Sequence, residues 1–180
     1  MTAQPVAPRH DDLLRYIAEA PDDGLRYEID NGVLIVTPLA NLSHQMLGRR
    51  VFRTIDANLP DDWLALYECG LTVAGRQLVP DLSVFDHEPG GSTELYPLIV
   101  PRLVVELESV TTRGRDRVAK TGWYAKGGVD AYWRIEADET VHVHTHPTPE
   151  GLWEKVSVIR PGEELAIVEP FPITLRSPIR

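Results

Sequence analysis

Three acidic residues stand where a buried strand would place apolar ones. Asp81 follows Pro80 in Val79-Pro80-Asp81-Leu82, and Glu106 and Glu108 close the run Leu103-Val104-Val105-Glu106-Leu107-Glu108. A carboxylate in or beside a buried strand costs several kcal/mol unless a cation or a charged hydrogen-bond partner compensates it. The pattern therefore predicts positive charge at this place. Glu106 and Glu108 are two apart and share one strand face, while Leu107 points to the other. With Asp81 on the adjacent strand, hard oxygen ligands would converge, the donor set that suits Mg²⁺ or Mn²⁺. Taken singly, each acid also fits an exposed carboxylate near a strand end.

A basic run follows. From Arg113 to Lys126 the chain carries Arg113, Arg115, Arg117, Lys120 and Lys126 against Asp116 alone, a local excess of four positive charges in a protein of formal net charge −9. A phosphate backbone could dock there, although a solvated helix face gives the same pattern. His142, His144 and His146 alternate with Val141, Val143 and Thr145 and so fall on one strand face. Same-face neighbours lie about 7 Å apart, too far for all three to reach one zinc ion, so a solvent-facing row is expected. Trp123, Tyr124, Tyr132, Trp133 and Trp153 are expected to pack the core rather than to stack on bases. The Gly-x-x-x-x-Gly-Lys-Ser/Thr and Gly-x-Ser-x-Gly signatures are absent, and Cys69 has no catalytic motif around it.

The elements that must position these groups follow from patterning. Asp11 or Asp12 can cap a helix reaching Ala20, with Leu13, Leu14 and Ile17 inward. Strands at 27–30 and 33–37 flank Asn31-Gly32, a pair suited to a tight hairpin turn. Asn41 can cap a second helix that runs to Leu59, where Leu42, Met46, Phe52, Ile55 and Leu59 approximate a stripe and Pro60 ends it. Strands are expected at 63–68, 71–74, 79–85 and 103–108, a third helix at 116–126 stopped by Gly127-Gly128, and strands at 131–136, 141–146 and 153–159.

The chain has 180 residues, 43% apolar and 25% charged. That is the size and balance of one globular domain, and it excludes a disordered, collagenous or disulfide-stapled chain. Residues 1–10, with Pro5 and Pro8, are expected to be a flexible lead-in to a single domain over 11–180. The acid excess of 27 over 18 argues against a sequence-independent nucleic-acid coat. A single cysteine and the lack of a leader-like opening make the cytoplasm the expected compartment. No apolar run approaches the roughly 20 residues needed to span a bilayer, so no membrane role is expected.

The blocks Val79-Pro80-Asp81-Leu82-Ser83-Val84, Leu103-Val104-Val105-Glu106, Ser109 with Thr112, and Asp116, Lys120, Tyr124, Gly128-Val129 and Tyr132-Trp133 resemble the Uma-two family of bacterial endonucleases. Tyr27 to Gly32 and Ser43-His44 resemble that family's opening hairpin and helix. The resemblance implies an α/β (α+β) restriction-endonuclease-like fold of the PD-(D/E)XK type, with a mixed central sheet flanked by helices and preceded by a helix and hairpin. It also implies site roles. Asp81 and Glu106 would be the metal carboxylates and the Leu107 carbonyl a third ligand. Glu108 stands where the superfamily has lysine, and Lys120, on the following helix, matches the displaced lysine.

The expected activity is then Mg²⁺- or Mn²⁺-dependent hydrolysis of DNA phosphodiester bonds. Asp81 and Glu106 would hold the ion, and Lys120 would orient the attacking water. Glu108 could be a further ligand, a partner of Lys120 or a neutralised acid. Glu28 could bind a second cation, and His44 could contact phosphate or relay a proton, although structural hydrogen bonds suit both. Arg113, Arg115 and Arg117 would grip the DNA, and a homodimer would set two sites on two strands. Two other readings remain. One is an inactive nuclease-fold module that binds nucleic acid or a protein partner. The other is a zinc hydrolase built on His142, His144 and His146.

Overall fold

The structure, a computed structural model, describes residues 8–21, 23–89, 94–108 and 119–179. Helix α1 spans His10–Glu19 and buries Leu13 and Ile17 against Ile29. It begins ahead of the expected cap, so Asp11 and Asp12 lie in its first turn, where the helix dipole favours them. The hairpin forms as expected. β1 (Arg26–Asp30) and β2 (Val33–Thr37) pair antiparallel around Asn31 and Gly32, whose φ values of 48° and 77° are those of the tight turn.

Helix α2 runs Leu42–Asp56, and the Asn41 side chain accepts a hydrogen bond from the His44 backbone N–H at 3.0 Å. Its buried face is Leu47, Val51 and Ile55, whereas Leu42 and Met46 are exposed. The stripe read from sequence was therefore rotated. Spacings of four along Leu47, Val51 and Ile55 define the seam that packs on the sheet.

The strand expected at 79–85 begins only at Leu82. β4 (Leu71–Val73) turns through Ala74 and Gly75 into β5 (Arg76–Leu78), and the chain then leaves that sheet at Val79-Pro80-Asp81 to enter β6 (Leu82–Phe85). Pro80 has no N–H for a ladder, and the Val79 N–H donates instead to Glu28. This junction places Asp81 between two sheets. One sheet has the order β2-β1-β5-β4. The other adds β3 (Leu64–Tyr67), β7 (Leu103–Leu107), β8 (Ala131–Ile135), β9 (Val141–Pro147) and β10 (Trp153–Ile159) in the order β10-β9-β8-β7-β6-β3.

That six-stranded sheet is mixed, because β7 and β8 run parallel while its other neighbours run antiparallel. The crossover between β7 and β8 carries helix α3 (Thr121–Lys126). A Cβ at Gly127 would lie 2.3 Å from Val73 Cγ1, and Gly128 has φ 78°, so this pair both ends the helix and lets it seat on β4. The patterning did not mark β11 (Glu164–Ile167) and β12 (Ile173–Arg176), which form a separate hairpin.

Helix α2 and the β11–β12 hairpin cover one face of the sheet over Val105, Leu107, Trp133, Ile135 and Val143. On the other face Val104 and Tyr132 pack with Tyr124 of α3 and with Leu71 and Leu78 of the small sheet. Tyr124, Tyr132 and Trp133 are fully buried, as core packing requires. The result is an α/β architecture with a mixed central sheet flanked by helices. Among the described residues no helix is long and apolar enough to cross a membrane.

Candidate functional site

The acids singled out in the sequence are buried: Glu28 and Glu106 are 2% exposed, Glu108 5% and Asp81 6%. Positive charge does stand beside them, and the protein itself supplies it. Asp81 Oδ1 accepts from Arg26 Nη1 at 2.9 Å, and its Oδ2 accepts from the Leu107 N–H at 2.7 Å with His44 Nε2 at 3.5 Å. Lys120, also 5% exposed, places its ammonium 2.9 Å from Glu106 Oε1 and 3.1 Å from Glu28 Oε1. The Tyr124 hydroxyl donates to the same Glu106 oxygen at 2.6 Å, and the Val79 N–H donates to Glu28 at 3.0 Å.

The topology brings these groups together. Arg26 and Glu28 share one face of β1, Asp81 sits at the junction into β6, Glu106 lies on β7, His44 in the first turn of α2, and Lys120 immediately before α3. Five separate segments therefore meet where the two sheets face each other. Three carboxylates, from Glu28, Asp81 and Glu106, stand against two permanent cations, from Arg26 and Lys120, and the His44 imidazole.

The electrostatics follow from the contacts. Burial alone would push the Asp81 carboxyl up, but the His44 hydrogen bond, the Arg26 charge and the Leu107 N–H hold it below the ordinary value. His44 moves the other way. Its hydrogen bond to Asp81 raises it against the opposing effect of burial, and the Leu107 carbonyl, 3.2 Å from Nε2, adds to the rise. Since Nε2 faces two acceptors, it carries the proton. Burial followed by the Glu106 charge drives the Tyr124 hydroxyl far above its usual range, so Tyr124 stays a donor.

Glu108 belongs to a second group. It accepts from Arg134 Nη1, which also reaches Glu136 Oε1 at 2.9 Å, and His142 Nε2 lies 2.8 Å from that same oxygen. Glu108 is therefore held by Arg134 across the sheet. His144 was expected in a solvent-facing row but is buried between Tyr132 and Trp153, with ring centroids at 5.4 and 5.9 Å, and burial pushes it down to about 4. His146 is exposed, with Nε2 3.2 Å from Glu169. Arg113, Arg115 and Arg117 lie outside the described residues.

These contacts overturn the expected metal centre. Among the described residues no group of three or more His, Cys, Asp or Glu side chains is arranged to hold a metal ion. The physical reason is occupancy by protein groups. Lys120 stands at Glu28 and Glu106, Arg26 takes Asp81, and His44 takes the Leu107 carbonyl. The donor set does not fit Mg²⁺ or Mn²⁺. The expectations of a bound divalent cofactor, of Asp81, Glu106 and Leu107 as its ligands, and of Mg²⁺-dependent hydrolysis of DNA are corrected accordingly. The same finding leaves the zinc-hydrolase alternative without a ligand cluster.

The Uma2 family profile, described as "Putative restriction endonuclease", matches residues 11–180. The chain belongs to the Uma2 family. Among solved structures it resembles a "putative nuclease belonging to DUF820" from Anabaena variabilis, with a TM-score of 0.68 and 21% identity over 86% of this chain and 88% of that one. That likeness is one of fold. No curated protein matches the chain.

Sequence reasoning missed Arg26, the group that compensates Asp81. A signal was present, because Arg26 and Glu28 are two apart in β1 and must share a face. Tyr124 was read as core, which it is, but its hydroxyl also serves Glu106. The role of Arg134 had no local signal, since it reaches Glu108 only through the parallel β7–β8 pairing.

Proposed function

We propose that this chain is a nuclease-fold module that binds nucleic acid without hydrolysing it. The observation that carries the reading is the self-neutralised cluster. Glu28, Asp81 and Glu106 are committed to Lys120, Arg26 and His44, so the acids that would serve a metal are engaged in holding two sheets together. Support for nucleic acid as the partner comes from the family's description and from the basic run at Arg113, Arg115 and Arg117. A restriction-endonuclease-like architecture over residues 11–180 and pairing of two copies belong to the same proposal.

The test combines two measurements on the full chain. Fluorescence anisotropy with labelled duplex and single-stranded oligonucleotides, in EDTA and then in Mg²⁺ or Mn²⁺, should show binding that weakens steeply with salt and does not depend on the divalent ion. Replacing Arg113, Arg115 and Arg117 together with alanine should weaken it at least tenfold. Supercoiled plasmid should remain intact under all ions. Ion-dependent nicking by the wild type and not by Asp81→Asn, or no oligonucleotide binding at any salt, would overturn the proposal.

A further inference from the structure

Among the described residues β2 pairs with β1 alone, so it forms an open edge of the small sheet. Soluble proteins guard such edges with charged side chains, proline, bulges or a covering segment. The other edges carry guards of this kind. β10 has Glu154 and Lys155, β11 and β12 have Glu164 and Arg176, and the Thr72 N–H of β4 donates to the Pro97 carbonyl. β3 is flanked by Asp62 and Glu68. β2 is Val33-Leu34-Ile35-Val36-Thr37, with Val33 60% and Val36 46% exposed. From Asn31 to Ser43 the chain has no ionisable side chain, the longest such stretch in a protein of formal net charge −9.

The hairpin determines which main-chain groups this edge offers. In a two-residue hairpin the residues beside the turn, Asp30 and Val33, exchange both hydrogen bonds, and such pairs alternate along the ladder. Val33, Ile35 and Thr37 thus turn their N–H and C=O groups towards β1, and Leu34 and Val36 turn theirs outward. A second β2 related by a twofold axis at Ile35 sets Leu34 opposite Val36 of the other copy and Val36 opposite Leu34, so every outward group is bonded. With the axis at Val36, Leu34 would face Pro38, which has no N–H, and with the axis at Leu34, Val36 would face Gly32 in the turn. The edge is therefore self-complementary in one register. Its side-chain pairs are Ile35 with Ile35, Leu34 with Val36 and Val33 with Thr37, and no charges are opposed. The same operation at β3, about Ala65, would set Asp62 against Glu68.

We infer that β2 is a homodimer seam, at which a second copy of this chain extends the small sheet from four strands to eight. Charge favours a copy over an unlike partner. Two chains of net charge −9 repel over most of their surfaces and approach at least cost where charge is absent, whereas a basic partner would seek carboxylates that this stretch lacks. Leu39, Leu42 and Met46, in or next to the stretch, are 72%, 78% and 50% exposed and add apolar surface beyond the strand. A twofold axis uses both β2 edges, so assembly stops at two copies. The inference rests on the pairing of two copies within the proposed function and names its surface, and its geometry is independent of nucleic acid.

Size-exclusion chromatography with light scattering on the full chain should give about 40 kDa, twice the chain mass of 20.2 kDa. Val36→Lys should give the monomer with wild-type circular dichroism, because this side chain is half exposed and its N–H makes no bond inside the hairpin. A cysteine pair tests the register, and does so even where Val36→Lys fails to fold. In a Cys69→Ser background, Ile35→Cys oxidised with copper phenanthroline should form a disulfide-linked dimer, since a non-hydrogen-bonded antiparallel pair has Cα atoms roughly 4.5 Å apart. Val33→Cys should stay unlinked, its two copies lying on the order of 14 Å apart. A wild-type monomer at micromolar concentration would overturn the seam and the pairing of copies, and oligonucleotide binding by that monomer would leave the nucleic-acid reading standing. A Val36→Lys dimer, a mass beyond the dimer, or linkage of Val33→Cys without Ile35→Cys would overturn the seam and leave pairing to another surface.

Discussion

Lys120→Met removes the ammonium that lies 2.9 Å from Glu106 and 3.1 Å from Glu28 and leaves an apolar chain of similar length. Both acids are 2% exposed, so neither can recover its loss from water. Removing one partner of a buried ion pair costs about 3–5 kcal/mol, a large share of the roughly 5–15 kcal/mol that holds a typical domain folded. For a chain of this size the melting point should fall by about 6–20 °C. Urea unfolding at pH 7.5 checks the loss, and Lys120→Met combined with Glu106→Gln should regain part of the deficit. A loss below about 1 kcal/mol, or no recovery in the double variant, would refute the claim that Lys120 is the compensating charge.

Three other expectations follow from the same geometry. Arg26→Met should destabilise by about 2–4 kcal/mol, and Asp81→Asn in that background should recover a coupling of about 1–3 kcal/mol in a double-mutant cycle measured by urea unfolding. His44 is raised by Asp81, so its contribution is complete below its unfolded value of about 6.5 and disappears as pH climbs through the higher folded one. Stability of the wild type should accordingly fall more between pH 6 and 8 than that of His44→Gln, and the His44 ring signals in an NMR titration should move above pH 6.5. Among the described residues neither ring nitrogen of His144 has a hydrogen-bond partner, and the ring lies among aromatic rings. His144→Phe should cost less than about 1 kcal/mol or stabilise by thermal melt, and a loss above about 2 kcal/mol would mean that the imidazole is bonded in solution.

Much of the frame was legible in local pattern. Asn31-Gly32 marks its hairpin because few residue pairs tolerate two successive positive φ values, and Asn41 marks the start of α2 because its side chain can accept an N–H three residues on. Val79-Pro80 was harder. The apolar run reads as one strand, and only the presence of two sheets reveals that Pro80 is where the chain changes from one to the other. The Leu42 and Met46 stripe failed for a related reason, since a helix carries more than one apolar row and the sheet selects which is buried.

At the site, residue types were enough to show that Asp81, Glu106 and Glu108 demand positive charge, because desolvating a carboxylate costs the same whatever the fold. Which charge answers that demand is a question of three-dimensional proximity. A divalent ion, a guanidinium and an ammonium all meet it, and local sequence does not choose among them. The meeting of β1, the Pro80 junction, β7, α2 and the start of α3 made the choice. It set Arg26 on Asp81, Lys120 between Glu28 and Glu106, and Arg134 on Glu108, from segments up to 92 positions apart. Contacts over such separations depend on how the sheets pack, which no short window of residues encodes.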